Sequence, residues 1–470
     1  MAAVSAIAAV VTMAEPPSYP RKPRPNRSPR LRCGPQHRPP PCRRVPRIME
    51  TRDMADLPFR GWRVAWAAFI VAAFGWGVGF YGPPVFLFAV QESRGWSIAL
   101  VSAAVTSHFL LGAVVVANLP KIHARFGLVL ITRLGGCLAG LGVLGWALAA
   151  EPWQLFAATL VSGAGWAMTG GAAINAMVSP WFQRLRPAAL GTAYNGASIG
   201  GVVFSPLWVA LIGLLGFSGA AALIGVAMAM ALWWIAGRYF AKGPAAFGQV
   251  PDGEAGPPPG ARIEPIHAAL PGRALWGNRR FATLALATSL GLFAQIGLIA
   301  HLVSLLAGPV GAQNAGFGAG LATVCAVIGR TGLGWLLSKG GDRRVAAAAN
   351  SLVQVAGSLA FLASGGTDVP LLLLGIVLFG LGLGNATSLA PMIAQRDFSA
   401  ADTGRVVALV TACSQAAYAF APAAFGLLRG VEPGWFFGAA ALIQVAAAVV
   451  ILAGRRASYA SASLTSGKTR

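Results

Sequence analysis

The 470-residue chain is 56% hydrophobic and only 11% charged, with a mean hydropathy of +0.65, which leaves too little polar surface for a water-soluble globule. Its net charge of +22 does not indicate a nucleic-acid partner. Ten of the 36 lysines and arginines fall in residues 1–50, and most others flank apolar runs, where they orient a chain in a bilayer.

Residues 1–57 open with an apolar run, Ala2 to Ala14, too short to span and lacking a basic flank, then turn Pro- and Arg-rich from Pro16 to Pro46. Such a segment builds no core and is expected to be a disordered basic tail. The simpler explanation is that the true start is Met49 or Met54; the competing one is a tail that binds anionic lipid.

From Trp62 onward, apolar stretches of spanning length alternate with short polar breaks. Twelve are predicted: 62–90, 97–119, 128–149, 153–178, 187–213, 217–237, 281–307, 316–338, 345–364, 369–394, 403–428 and 433–454. The expected organisation is an N-terminal six-helix bundle (58–237), a flexible linker (238–280) containing GEAGPPPGAR and six basic residues, a C-terminal six-helix bundle (281–454) and a tail (455–470). Counting Lys and Arg over short loops puts nearly all of them on one side, with only Arg94 and Arg429 on the other, so both termini are expected in the cytoplasm. Cys137, Cys325 and Cys413 lie in apolar runs and Cys33 and Cys42 in the tail, which is no disulfide framework.

The two halves repeat. A shift of 219 residues superposes Arg186, Ala189, Leu190, Thr192 and Ala193 on Arg405, Ala408, Leu409, Thr411 and Ala412. The same shift puts Gly163 and Gly165 on Gly382 and Gly384, and Arg125 on Arg344. Two parallel repeats with a substrate path between them are the expected architecture.

The eighth span, GFGAGLATVCAVIGRTGLGWLLSKGGDRR, carries a full charge at Arg330. A cation at that depth costs about 2.5–3.5 kcal/mol on insertion scales, so it normally faces a wet cavity or a partner. All fourteen acidic residues lie in tails, loops or helix ends, leaving none to neutralise it. An unpaired guanidinium can hold a carboxylate through two parallel hydrogen bonds. The same census argues against export of cations. Histidine, with an unperturbed pKa near 6.5, is left as the proton carrier: His108 in span 2 and His301 in span 7 are candidates, each weighed against a helix-tying hydrogen bond.

Other polar residues share helical faces. Thr411, Gln415, Tyr418 and Pro422 follow i, i+4, i+7, i+11 spacing in span 11, and Thr192, Asn195 and Ser198 repeat the theme in span 5. Asn385 and Thr387 in span 10 and Gln295 in span 7 belong to the same set; interhelical bonding is the alternative for each. On the Arg330 face, Thr323, Ala326 and Gly334 are small enough to leave room for a ligand. No G-x-x-x-x-G-K-[ST], H-E-x-x-H or metal-ligand cluster occurs in the sequence, so neither enzyme activity nor a cofactor is expected.

This 6+6 pattern, with its long central loop and basic turns after spans 2 and 8, resembles the major facilitator superfamily over residues 60–455. The family's turn motif, G-x-x-x-D-R-x-G-R, is partly present: PKIHARFG supplies Arg125 and Gly127 with Ala124 at the acidic position, and SKGGDRR supplies Asp342, Arg343 and Arg344. The resemblance implies a gate clamp at these turns, with positive-inside anchoring as the alternative. GVGFYGPPVFLF, RGWS, ALGTAYNGASIGGVVFSPL and the deep Arg are similar to the monocarboxylate-transporter and oxalate/formate-antiporter branch. That likeness implies carboxylate binding by Arg330 and a site lined at Tyr81; an Asp usual one turn earlier is Ala326 here.

The expectation is an all-α, multi-pass carrier of a small organic anion in the plasma (bacterial inner) membrane. Arg330, Tyr81, Gln415, Tyr418, Asn385 and Asn195 would shape the site, with a proton or counter-anion as coupling partner and the lipid bilayer around it. Efflux of neutral or amphiphilic compounds is the alternative, and a non-transporting membrane sensor or scaffold a more distant one.

Overall fold

The computed structural model describes residues 59–183, 185–253, 272–338, 341–431 and 433–466. The expected tail over residues 1–57 and the basic turn residues Arg184 and Lys339 lie outside these. Among the described residues the chain is helical and contains no strand.

The first half comprises α1 (Gly61–Gly79), α2 (Gly82–Arg94), α3 (Ile98–Phe126), α4 (Leu128–Leu148), α5 (Pro152–Thr169), α6 (Gly171–Val178) and α7 (Arg186–Tyr239). The second follows with α8 (Gly272–Trp276), α9 (Arg279–Val310), α10 (Ala312–Ser338), α11 (Arg343–Ala363), α12 (Val369–Gly382), α13 (Asn385–Asp397), α14 (Ala400–Tyr418), α15 (Ala421–Val431) and α16 (Pro433–Ser466). Helix starts follow their caps: Ser97, Asn278, Asp342, Asp368 and Ser399 each accept a first-turn N–H.

Ten helices among the described residues are long and apolar enough to cross a membrane. Two places account for the difference from the twelve predicted stretches. Helix α7 runs through Gly216, whose φ of 70° lies outside the helical region, so two predicted stretches are joined across a kink. The predicted 153–178 span is split at Gly170 into α5, of 18 residues but with Pro152, Trp153 and Gln154 in its first turn, and the eight-residue α6, so neither piece alone is both long and apolar enough.

Within each half, glycines permit backbone-to-backbone approach, the usual adhesive where lipid removes the hydrophobic drive between helices. Gly140 meets Gly225 directly, Gly142 meets Ser162, and Gly357 meets Phe379.

The central linker departs from expectation. Its first part is ordered, with short 3-10 turns at Pro244–Phe247 and Pro251–Gly253. The Arg60 guanidinium lies 4.2 Å over the Phe247 ring. The Asp252 carboxylate accepts the backbone N–H groups of Gln183 and Leu185 at 3.1–3.2 Å, just before α7. Amides that a helix start leaves open attract that carboxylate, and composition alone did not reveal it.

The basic turns differ between the repeats. Arg344 is 4% exposed and bonds Asp397 at 2.8–2.9 Å, the carbonyls of Arg280 and Ile451, and Thr283. Asp342 caps α11 and pairs with Arg455 at 2.7 Å, while Arg343 donates to the Met392 carbonyl. The first copy lacks this set: Arg125 is exposed and lies over its neighbour Phe126, and Gly127 closes α3 with φ of 79°. Ala124 offers no acid to organise it.

Candidate functional site

Three helix breaks frame the gap between the halves. The first is at Phe80 and Tyr81, where Pro83 and Pro84 open α2 and supply no N–H to continue α1. Carbonyls at the end of α1 turn elsewhere: Gly77 accepts from the Trp208 indole at 3.1 Å and Gly79 from His108 at 3.0 Å. The second break is in span 10, where α12 ends at Gly382 and α13 starts after Gly384, whose φ is 75°. The third separates α14 from α15 at Ala419 and Phe420, between Tyr418 and Pro422.

Arg330 sits on α10 between the first and second halves. One Nη donates to the Ser198 hydroxyl of α7 at 3.4 Å, a long bond, while Nε is buried and has no partner. The guanidinium lies against the Cα of Gly384, where any side chain would collide with it. Helix α13 begins at that point with no side-chain cap, so the positive end of its dipole adds to the field. Tyr81 lies against Gly201 of α7, beside Thr323 of α10.

Amides hold the second break in place. The Gly382 carbonyl accepts N–H bonds from Gln354 (3.0 Å), Asn350 (3.2 Å) and Gln295 (3.4 Å), and the Gly384 N–H donates back to Gln295. Asn385 donates to Asn350 at 2.7 Å. Through Gly384, this cluster fixes where the guanidinium rests. Asn350 and Gln354 were not singled out from the sequence, although two amides four apart in an apolar helix were the available signal.

The halves meet on one side of Arg330 and part on the other. Away from the basic turns, the Ala423 N–H donates to Thr106 at 3.0 Å, Gly426 packs on Ser102, and the Phe109 and Tyr418 rings lie 6.0 Å apart. Toward the basic turns, a Cβ added at Gly191 or Gly334 would meet no atom within 4 Å, although both lie on the helix faces that carry Ser198 and Arg330. Asn195 is exposed on that stretch of α7, and Gln415, one turn before Tyr418, is half-buried.

The remaining candidates lie elsewhere. Asn385 is 2% exposed and bonded within the second half. His108 is 1% exposed with both ring nitrogens engaged: Nε2 donates to Gly79, and Nδ1 meets Ser162, which also receives the Trp146 indole. That is the helix-tying arrangement. His301 is fully buried, donates from Nε2 to the Pro422 carbonyl and leaves Nδ1 without a partner. Two cavities, of about 40 and 280 Å³, lie inside the second half, and Arg330 lines neither. Among the described residues no group of acidic, His or Cys side chains is placed to hold a metal ion, and Cys137, Cys325 and Cys413 are free thiols.

The sequence matches the model of the Major Facilitator Superfamily over residues 1–175 and 165–422. Human monocarboxylate transporter 11 is 28% identical over 313 residues, 64% of this chain; the match spans about 61% of that protein's length. Among solved structures, the nucleoside transporter NupG superposes with a TM-score of 0.64 at 14% identity, covering 83% of this chain and 98% of that one. A bacterial homologue of the human lysosomal transporter Spinster gives 0.65 at 15% identity, covering 85% and 98%.

Proposed function

This chain belongs to the major facilitator superfamily, and on that premise we propose that it carries a small organic anion, a mono- or dicarboxylate, across the bilayer by alternating access. Counting the two limbs of α7 separately and α5 with α6 as one gives the twelve-crossing reading. By the positive-inside rule the basic turns, both termini and the open side of the gap face the cytoplasm of a plasma (bacterial inner) membrane. The chain then rests open to the inside.

The observation that carries the anion assignment is the guanidinium of Arg330. It borders the gap, keeps one long bond to a neutral hydroxyl and leaves Nε without a partner. A desolvated charge in that condition is stabilised by a substrate carboxylate and by nothing fixed in the sequence around it. The likeness to monocarboxylate transporter 11 supports the same class. Binding on Arg330 would displace Ser198 and remove one link between α7 and α10, so coupling occupancy to movement of the halves. His108 and His301 we assign to packing, so the cycle runs by exchange for a second anion or by facilitated diffusion.

Uptake of a carboxylate panel by proteoliposomes, comparing the parent with Arg330→Ala and Arg330→Lys, tests the proposal. The Ala variant should lose transport, and Lys should retain a weakened activity because it keeps the charge without the planar fork. Carboxylate transport that survives Arg330→Ala refutes it, and carriage of only neutral or amphiphilic compounds points to the efflux alternative.

A further inference from the structure

We infer that the substrate joins a single carboxylate to a flat, ring-bearing body; this rests on the carboxylate reading of Arg330. The segments that frame the gap hold no other Lys or Arg over 64–93, 98–120, 187–237, 281–310 and 406–428, and α10 holds only Arg330. One planar fork accommodates one carboxylate. A second would remain unpaired in a low-dielectric site, so a dicarboxylate fits poorly.

The body of the ligand would meet rings. Trp76 and Trp166 stand edge to face at 4.9 Å, Phe80 lies 6.1 Å from Trp166, 5.0 Å from Tyr81 and 6.3 Å from Phe109, and Phe109 reaches Tyr418 at 6.0 Å. The last pair crosses between the halves, which places this ladder at the gap rather than against lipid. It lies one turn inside the Thr106–Ala423 bond and therefore roofs the closed end of the gap. Tyr81 stands beside Thr323, two turns of α10 from Arg330, or about 10 Å at 1.5 Å per residue. Arg330 and Thr323 are seven residues apart and share a face of α10, so a carboxylate on Arg330 and a ring beside Tyr81 would lie along that same face. Phe80, Tyr81, Trp76 and Tyr418 are half-buried, presenting edges and faces that favour another ring by offset or edge-to-face contact.

The test is uptake by proteoliposomes of radiolabelled 3-phenylpropionate, propionate and succinate, with protein-free vesicles as the leak control. The parent should take up 3-phenylpropionate with a KM at least tenfold below that for propionate and should not carry succinate. Phe80→Leu and Tyr418→Leu should raise the first KM toward the second, and Arg330→Ala should abolish both. If either variant fails to fold, the parent's substrate order alone decides. Propionate or succinate carried as well as 3-phenylpropionate, in an Arg330-dependent manner, overturns this inference and leaves the carboxylate reading standing. Transport of none of the three, or transport indifferent to Arg330→Ala, overturns both.

Discussion

Gly384→Ala should separate the placement of the guanidinium from the stability of the fold. Gly384 has φ of 75°, and an added Cβ would strike a terminal nitrogen of Arg330. Two effects follow. The left-handed backbone makes any L side chain unfavourable by about 1–2 kcal/mol. The collision forces the guanidinium aside, and the loss of one charge-assisted hydrogen bond to the anion is worth about 1.5–3 kcal/mol, or roughly 10- to 100-fold in affinity. Gly366 supplies the control: its φ is 76°, and a Cβ there meets nothing within 4 Å. Gly366→Ala therefore carries the backbone strain without the collision. Both variants should lower the thermal unfolding midpoint by a similar amount, whereas only Gly384→Ala should raise the KM for carboxylate uptake. An unchanged KM in Gly384→Ala, or an equal rise in Gly366→Ala, would refute the claim that Gly384 positions Arg330 for binding.

Three other expectations concern the closed end of the gap and the basic turns. Gly426→Leu places a branched side chain where a Cβ is already 2.5 Å from the Ser102 hydroxyl; it should hold that end open, seen as greater labelling of Tyr418→Cys by an impermeant maleimide added from that side. Arg344→Ala strands Asp397, with a loss of about 3–5 kcal/mol, whereas Arg125→Ala at the exposed first turn should stay within about 0.5 kcal/mol; thermal unfolding distinguishes them, and equal effects would contradict the asymmetry of the two turns. Partial burial pushes the Asp342 carboxyl up, but the N–H groups of Arg344 and Val345 and the Arg455 guanidinium outweigh it and hold the group below its ordinary value. A depressed carboxylate contributes stability above its unfolded pKa, about 4, and loses it as pH falls through the folded value. Asp342→Asn should therefore flatten the acid limb of the stability profile below about pH 4 and leave its slope near neutrality unchanged.

Residue composition and spacing carried a large part of this protein. The apolar runs reappear as helices because only a helix satisfies its own backbone in lipid, and Arg330 stood out because a charge in such a run needs a physical reason. Roles that depend on partners distant in sequence were not legible. His108 looked like a candidate proton carrier until Gly79 and Ser162, 29 and 54 residues away, took up its ring nitrogens. Asn385 looked like a pocket residue until Asn350 claimed it. The ordered latch of Asp252 lay within a stretch whose composition suggested only a flexible linker.

The sequence by itself determined the solvent, the repeat and the presence of one uncompensated cation, because these depend on totals and periodicities along the chain. Tertiary structure decided which end of the gap is closed, which amides clamp the break beside Gly384 and which rings meet across the halves. Those are set by close approach of helices from different parts of the chain, where one glycine or one hydroxyl changes the outcome and no local pattern reveals it.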